Sequence, residues 1–438
     1  MLYSRALFRE KTEIVLAALL FASLPLVTPR VAESDAVEYF SYLPSLLLDG
    51  DLDFEDEYLH FYREDPEGRK EFKETFLDRS TPTGLKLNFG PIGTAVLWSP
   101  FYLATHLFVR SEDGMSQPYR TAVTFASALY AAVGLLLSYR LARRYAPPFA
   151  SFAAVVALWW ATPVAYYMYV APGMSHGVSL FTAALFFSLW PWAVSGGIGR
   201  WAAWGASAGL MALVREQDLF YAAVALVAVV GMTERVKRLI AFGATAFLVF
   251  LPQLAVYQVL NGEPEPSRHV QDKMIKYSPH FFEVLFSTEH GLFFWSPILL
   301  LFFAAGLWMA GKHRPAGVAL LAAFLAQVYI SGAVDSWTQA GAFGARRFVS
   351  ATAIFAVWGA MLFAALEPRL RKAGIATMAS FFILWNVSLM IQFGLGIMDR
   401  QRLVWSEIVH NHLYEVPPRL FSVVERYVWA RDELPGLR

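Results

Sequence analysis

The chain alternates between long apolar runs and short charged clusters, and this alternation limits its fold more than any other feature. A membrane-spanning helix needs about 20 mainly apolar residues. Runs of this kind cover residues 13–29, 119–139, 149–170, 178–195, 201–214, 219–232, 239–259, 292–310, 316–333, 348–366 and 374–394. The pattern therefore predicts an all-α polytopic membrane protein with about 11 transmembrane helices.

The composition excludes several other classes of protein. The chain is 57% hydrophobic and 16% charged, with 36 Lys and Arg against 35 Asp and Glu, and it has no Cys. Disorder requires low hydrophobicity and high net charge, and nucleic-acid binding usually requires a basic surface. Without Cys, disulfides, thiolate catalysis and Cys-ligated zinc are excluded. We therefore expect membrane lipid among the partners and no nucleic acid.

The short basic clusters predict the orientation in the membrane. If the N-terminus is cytoplasmic and the chain crosses about 11 times, every short basic loop falls on the cytoplasmic side, as the positive-inside rule requires. These clusters are Arg5/Arg9/Lys11, Arg140/Arg143/Arg144, Arg200, Arg235/Lys237/Arg238, Lys312/Arg314 and Arg369/Arg371/Lys372. The apolar stretch 89–109 would break this pattern if it crossed. Because it contains Gly90, Pro91, Gly93 and Pro100, we expect a re-entrant or juxtamembrane segment there.

This topology divides the chain into three parts. Residues 1–232 form a first transmembrane module with a large outer loop, 30–118. Residues 233–394 add further spans and a second outer loop, 260–291. Residues 395–438 form an outer tail, whose apolar residues at helical spacing predict an interfacial helix; they are Leu420, Val423, Val424, Tyr427 and Val428. Since the carboxylates gather in the outer segments, we expect the function at the outer face.

The first outer loop begins with a short amphipathic helix, whose apolar face is formed by Tyr39, Phe40, Leu43, Leu46 and Leu47. Asp35 precedes this face and Glu38 follows three residues later, as in a capping box. Asp35 therefore has two interpretations, an N-cap and a catalytic carboxylate at the membrane surface. Glu33 is the second carboxylate candidate.

Several segments, taken in order, resemble the GT-C membrane glycosyltransferases, which include protein O-mannosyltransferases and the bacterial aminoarabinose transferases. The resemblance covers most of residues 10–350. It rests on Glu33–Phe54 with its ending Leu48-Asp49-Gly50-Asp51-Leu52-Asp53, Thr83–Gly93, Arg140–Tyr145, Gly209–Gln217, Ser287–Pro297 and Gly341–Arg347. It implies a GT-C fold in a bacterial inner membrane, with the active site on the periplasmic face.

The resemblance also implies an activity, the inverting transfer of a sugar from a polyprenyl-phosphate donor to a lipid, glycan or protein acceptor. Asp35 is then the expected general base, because a carboxylate can accept the proton of an acceptor hydroxyl, with Glu33 as the alternative. A polytopic transporter or lipid flippase for a glycolipid is the competing function. Transporters place charged groups near the bilayer midplane, whereas the charges here cluster on one face.

Four residues are candidates for binding the donor phosphate. Arg215 follows a short apolar run, and an ionisable residue at membrane depth indicates a functional site; the alternative is an ion pair with Glu216 or Asp218. Arg346 and Arg347 open a predicted helix, where anions bind favourably; the alternative is snorkelling to the interface. For His176 we expect either binding of phosphate or a metal, or a buried ring whose nitrogen atoms are hydrogen-bonded within the protein.

Three further residues are candidates for binding substrate. His290 and Lys273 lie in the second outer loop, 260–291, and Trp337 is suited to stack on a sugar ring. A membrane belt of aromatic side chains is the alternative for Trp337. The short outer loop 171–177 lacks the carboxylate that many GT-C proteins carry there. This departure leaves open whether a divalent metal binds Asp35, Glu33 and His176.

Overall fold

The computed structural model describes residues 10–339 and 341–431, and this part of the chain is helical. Arg5, Arg9 and the last residues of the tail, 432–438, lie outside the described residues. The helices are α1 (Lys11–Ala22), α2 (Ser34–Pro44), α3 (Glu55–Glu64), α4 (Lys70–Phe72), α5 (Gly93–Val109), α6 (Gln117–Ala142), α7 (Pro148–Trp160), α8 (His176–Val194), α9 (Ile198–Val214), α10 (Ala223–Ala228), α11 (Arg235–Asn261), α12 (Arg268–Asp272), α13 (Glu283–Phe286), α14 (Leu292–Trp295), α15 (Ile298–Lys312), α16 (Arg314–Gly332), α17 (Thr352–Leu395), α18 (Trp405–His410) and α19 (Val416–Trp429).

The structure confirms an all-α, multi-pass membrane protein. Five helical segments are long and apolar enough to cross a bilayer: Gln117–Ala142, His176–Val194, Arg235–Asn261, Pro315–Gly332 and Arg346–Leu395. Two shorter apolar helices, α7 and α15, lie where spans are also predicted. Every predicted run contains helix, but in 13–29, 149–170 and 219–232 the regular α-helix covers only part of the run, and several helices are shorter than a bilayer crossing. The number of about 11 crossings and their orientation stay predictions.

The longest helix, α17, corresponds to two predicted spans. Arg371 interrupts it with left-handed φ of 57°, a conformation that an L-residue does not adopt inside a helix. The kink lies between the predicted runs 348–366 and 374–394, within the basic cluster that contains Arg369 and Lys372. The two arms of α17 are therefore the two predicted helices.

The stretch 89–109 contains a continuous helix, α5, with Pro100 inside it. Glycine and proline therefore do not interrupt its helical part. After α5, the first residue of α6, Gln117, donates to the Pro29 carbonyl (Nε2–O, 2.5 Å). Before α5, the Gly90 carbonyl accepts from Tyr42 of the first outer loop (2.9 Å). The segments that flank α5 on both sides thus contact the part of the chain that follows α1, which favours a juxtamembrane helix over a crossing.

Close helix packing places the end of α9 against two other elements. Gly205 and Gly209 lie on the face of α9 that contacts α11, where a Cβ atom would come within 2.1 and 2.4 Å of backbone oxygens. Small residues at this spacing allow helix backbones to approach in membranes. Gly93 of α5 packs in the same way on the backbone of Leu213, 2.3 Å from an added Cβ. The position of Arg215, which follows α9, is thereby fixed.

The tail packs on the outer end of α1 through its last helix, α19. Tyr427 donates to the carbonyls of Leu26 (2.8 Å) and Tyr169 (3.1 Å), and Arg431 donates to the carbonyl of Pro25 (2.8 Å). An apolar cavity of about 250 Å³ lies beneath the helix. Four of the five predicted stripe residues line it: Val423, Val424, Tyr427 and Val428.

Glu57, on α3, predicts a pH-dependent stability. Its side chain is 1% exposed, and burial raises the pKa of its carboxyl from 4.5 to about 8. A carboxyl with a raised folded-state pKa contributes stability fully below its unfolded pKa and loses it as pH rises through the folded value. Since one pKa unit corresponds to about 1.4 kcal/mol, we expect the free energy of unfolding to fall by a few kcal/mol between about pH 4.5 and 8.

The variant Glu57→Gln is expected to remove this part of the pH dependence and to unfold at a higher temperature than wild type at pH 8. Thermal unfolding in detergent across this pH range measures both effects. Glu71→Gln, at an exposed glutamate of the same outer loop, is the control and should keep the wild-type profile. Equal pH profiles for wild type and Glu57→Gln would contradict the prediction.

Candidate active site

Asp35 lies in the first turn of α2 and faces an arginine. The residue at the N-cap is Glu33, and within the described residues no side chain caps this end of the helix. The capping interpretation of Asp35 is therefore wrong. Its Oδ2 instead lies 3.2 Å from Nη1 of Arg346, and the two side chains are 42% and 26% exposed. Asp35 is thus accessible and is paired with a cation that lies 311 residues later in the chain.

Glu33 provides a second carboxyl beside Asp35. Its Oε2 is buried and has no hydrogen-bond partner among residues 10–339 and 341–431. Burial raises the pKa of Glu33, and the charge of Asp35 acts in the same direction. A buried oxygen without a hydrogen-bond partner is costly, so Oε2 is available to a ligand or a proton.

Arg215 joins three elements at the face that is predicted to be outer. Its Nη1 donates to Ser175 Oγ (3.0 Å), just before α8, and lies 3.3 Å from Nδ1 of His176. Ser175 in turn donates to the hydroxyl of Tyr39 (3.1 Å), which lies one helical turn after Asp35 on α2. A short chain of polar contacts therefore connects Asp35's helix to Arg215.

The alternative partners of Arg215 are occupied by other groups. Glu216 accepts a hydrogen bond from the hydroxyl of Tyr257. Asp218 accepts from Ser179 Oγ (2.5 Å) and Ser350 Oγ (2.9 Å). Neither carboxylate forms an ion pair with Arg215 in the described residues. The guanidinium therefore makes no direct ion pair at the polar break between α9 and α10, although its charge lies within electrostatic reach of Asp218.

His176 is held in one tautomer with a free donor. Arginine has no acceptor, so Arg215 must donate to Nδ1 and the ring must carry its proton on Nε2. The ring packs 4.4 Å from that of Tyr167 and is 1% exposed. Its Nε2 has no partner in the part of the chain that the structure describes. Such an orphan donor in a polar site requires an explanation, and an anionic ligand would provide one.

Arg346 and Arg347 begin the helical turn that leads into α17. Arg347 donates to the Ser331 carbonyl and to Ser336 Oγ, both at 3.1 Å, whereas Arg346 points to Asp35. Arg347 lies within electrostatic reach of both Arg346 and Arg215, and all three arginines lie within electrostatic reach of His176. We call Arg215, Arg346 and Arg347 the arginine cluster. A side chain that snorkels extends its charged group into water at the membrane interface. The guanidinium groups of Arg346 and Arg347 instead form hydrogen bonds with protein groups.

The second outer loop pairs with the segment that precedes the arginine cluster. Asp335 donates its backbone N–H to the Lys273 carbonyl (2.8 Å), and Lys273 lies within electrostatic reach of Glu38. Trp337 stacks on His280 at 5.0 Å. One face of Trp337 is thus already covered, and substrate contact by Lys273 and Trp337 stays a prediction.

His290 lies in the packing behind the site. It is 1% exposed, stacks on Trp295 at 4.8 Å, and its Nε2 is 2.7 Å from the Ala342 carbonyl. These contacts support the turn that leads to Arg346. A direct contact between His290 and substrate stays a prediction.

A metal site is not preformed in the described part of the chain. No group of three or more His, Cys, Asp or Glu side chains there could hold a metal ion. Asp35, Glu33 and His176 are therefore not gathered as three ligands in this arrangement. A role for a divalent metal stays a prediction, which a chelator added to the transfer assay would test.

Several polar members of the site have no distinct signal in the sequence. Tyr39 fits the apolar face of its helix, although its spacing of four residues from Asp35 places both on one side. Ser175 adjoins His176 but carries no signal of its own. Tyr167 bonds the backbone of Phe343 through its hydroxyl (3.2 Å), a contact between distant segments that no local pattern indicates.

Comparison with known proteins identifies a solved structure with a similar fold. No protein-family model and no curated protein matches the chain. Among solved structures, the chain is similar to ArnT from Cupriavidus metallidurans bound to undecaprenyl phosphate, with 14% sequence identity and a TM-score of 0.51. The match covers 97% of this chain and 74% of that one. ArnT is a GT-C aminoarabinose transferase, and at this identity the likeness concerns the fold. The chain therefore has an ArnT-like GT-C fold, as its resemblance to these glycosyltransferases predicts.

Proposed function

We propose that this protein is an inverting glycosyltransferase, which moves a sugar from a polyprenyl-phosphate donor to an acceptor hydroxyl at the outer, periplasmic face of a bacterial inner membrane. The observation that carries the proposal is the contact of Asp35 with Arg346 inside the arginine cluster. A general base and a set of phosphate-binding cations lie side by side. This is the combination that displacement of a sugar from a phosphate requires.

Each half of the site has a task in one displacement step. Asp35 takes the proton of the acceptor hydroxyl as its oxygen attacks the anomeric carbon of the sugar. The bond between that carbon and the phosphate oxygen breaks, and the electron pair leaves with the polyprenyl phosphate. Guanidinium groups bind phosphate through paired hydrogen bonds, so the arginine cluster stabilises the leaving group. Attack from the face opposite the phosphate inverts the anomeric carbon.

The pair Asp35–Arg346 suggests an order of events. The guanidinium of Arg346 neutralises the carboxylate of Asp35. A donor phosphate that binds the arginine cluster competes for Arg346 and releases Asp35 to act as a base. His176 completes the phosphate site, because its buried Nε2 proton is an unused donor.

The apolar cavity beneath α19 is a candidate for the polyprenyl tail. It is lined by Trp160, Tyr169 and Met390 together with the tail helix. Tyr169 belongs to the helical turn Tyr166–Val170, and Tyr167 of the same turn packs on His176. One short turn thus adjoins both the apolar cavity and the phosphate candidates, which supports a lipid-linked donor. The protein ArnT was solved with such a lipid phosphate.

Transfer by the purified protein tests the proposal. The protein, reconstituted in lipid nanodiscs, is incubated with labelled polyprenyl-phosphate sugars and separate lipid, glycan and peptide acceptors. We expect labelled product with one acceptor, or slow hydrolysis of the donor, and release of polyprenyl phosphate in both cases. A liposome assay with labelled glycolipid examines the competing function. Lipid movement without any donor turnover would overturn the proposal in favour of a flippase.

A further inference from the structure

A buried glutamate, Glu38, ties the active-site helix α2 to a neighbouring loop. Its side chain is 4% exposed, and its Oε2 accepts the backbone N–H groups of Phe89 (2.5 Å) and Gly90 (3.0 Å). Glu38 lies one helical turn after Asp35. The mechanism assigns no task to it, yet its carboxyl is committed to two backbone donors of one loop.

Other contacts support the same connection between α2 and loop 88–91. Asn88 donates to the Glu38 carbonyl (3.0 Å) and accepts from the Gly90 N–H (2.9 Å). Tyr42 donates to the Gly90 carbonyl (2.9 Å). A Cβ atom on Gly90 would lie 2.8 Å from the ring of Tyr39. Three side chains of α2 therefore hold the loop in close contact.

The residues that follow the loop, Ile92 and Gly93, contact helices α11 and α9, and Arg215 directly follows α9. Ile92 donates its N–H to the Gln253 side chain of α11 (2.8 Å). Gly93 packs directly on the backbone of Leu213, two residues before Arg215. The loop thus spans from the helix of Asp35 to the helix pair that positions Arg215.

We propose that Glu38 is a positioning residue, whose carboxyl holds loop 88–91 against α2 and thereby sets the separation between Asp35 and Arg215. The inference rests on the proposed function, in which these two residues act on the attacking and the leaving groups. Catalysis is sensitive to such a separation, since a displacement of about 1 Å costs on the order of 100-fold in rate.

The hydrogen-bonding geometry, rather than the charge, is the property that the site uses. Burial raises the pKa of the Glu38 carboxyl to about 8, and the neighbouring charge of Asp35 acts in the same direction. The two backbone hydrogen bonds and the charge of Lys273 oppose this change. Glutamine keeps an acceptor oxygen for both N–H groups but carries no charge, so it separates the geometry of this contact from its charge.

Two variants of Glu38 test the inference. Glu38→Ala removes the acceptor, and we expect kcat of sugar transfer to fall on the order of 100-fold with the Kd for polyprenyl phosphate unchanged. Glu38→Gln keeps the acceptor and should retain kcat within about threefold of wild type, since both backbone bonds remain. The control Glu57→Ala removes another buried glutamate of the outer loop, and its kcat should equal that of wild type.

A distance measurement separates positioning from general stability. The chain has no Cys, so spin labels can be attached at Ser34→Cys and Leu219→Cys, two exposed positions close to Asp35 and Arg215 in the chain. We expect a narrow distance distribution in wild type and Glu38→Gln, and a broad or shifted one in Glu38→Ala. Because this readout needs no turnover, absence of transfer in wild type would overturn the proposed function without deciding the inference.

A milder pair of variants covers the case in which Glu38→Ala does not fold. Tyr42→Phe deletes only the hydroxyl bound to Gly90, whereas Tyr102→Phe deletes a similar bond to the Gly114 carbonyl (3.0 Å). We expect a broader label distance and a lower kcat in the first and neither in the second. An unchanged distance in both Tyr42→Phe and Glu38→Ala, or a Glu38→Gln variant as impaired as Glu38→Ala, would overturn the inference.

Discussion

The variant Asp35→Asn is expected to abolish sugar transfer while the protein stays folded and continues to bind the donor lipid. Asparagine has the same shape and still accepts a hydrogen bond from Arg346, but it cannot take a proton from the acceptor. General base catalysis contributes about 100- to 10,000-fold in rate, so kcat should fall by at least this order. Turnover of labelled donor and binding of polyprenyl phosphate, measured on the same preparation, check both parts.

The prediction has a matched control in the same outer loop. Asp56 is exposed on α3, and Asp56→Asn should leave transfer unchanged. Loss of Arg346's anionic partner also predicts donor affinity equal to or tighter than that of wild type, because the guanidinium is then free for phosphate. Full activity of Asp35→Asn would contradict the assignment. If Glu33→Gln lost transfer while Asp35→Asn kept it, Glu33 would be the general base.

The helices could be predicted because their signal is local. Apolar runs such as 119–139 and 239–259 must form helices in a membrane, since each backbone group needs a partner within its own segment. The kink at Arg371 also agrees with a local signal, a basic cluster between two apolar runs. The lengths of the helices were less predictable. In 149–170, for example, helix α7 ends at Trp160, three residues before Pro163, which has no N–H to continue the helix, and a separate turn covers Tyr166–Val170.

The charged half of the site could be predicted because charge at membrane depth is rare. Arg215, Arg346 and Asp35 each interrupt or border an apolar run, and the structure brings Arg346 to Asp35 across most of the chain. The polar half could not be predicted, because it is defined by contacts between segments. Glu38 matched a capping residue in its spacing from Asp35, yet its carboxyl binds the backbone of a loop about 50 residues later. The hydrophobic periodicity of the sequence gives no information on a contact between segments so far apart.

The variant Arg215→Ala is expected to weaken binding of polyprenyl phosphate on the order of 10- to 100-fold, because a hydrogen bond to a charged group contributes about 1.5–3 kcal/mol. Arg215→Lys keeps the charge but loses the planar fork, and its affinity should be intermediate. In Arg215→Ala, Ser175 and His176 also lose their donor, so the His176 ring is no longer held in one tautomer. Equilibrium binding of labelled polyprenyl phosphate to the three proteins measures the effect.

Arg200, at the other end of the same helix, provides the control. It is exposed and packs over the Trp192 ring at 5.1 Å, on the side predicted to face the cytoplasm. Arg200→Ala removes one positive charge from α9 without reaching the arginine cluster, so its affinity for polyprenyl phosphate should match that of wild type. If both alanine variants bound the lipid equally well, Arg215 would have only a structural role, and the phosphate would have to be held by Arg346 and Arg347. Weaker binding in Arg215→Ala alone would instead place the lipid phosphate at the outer end of α9, beside the base.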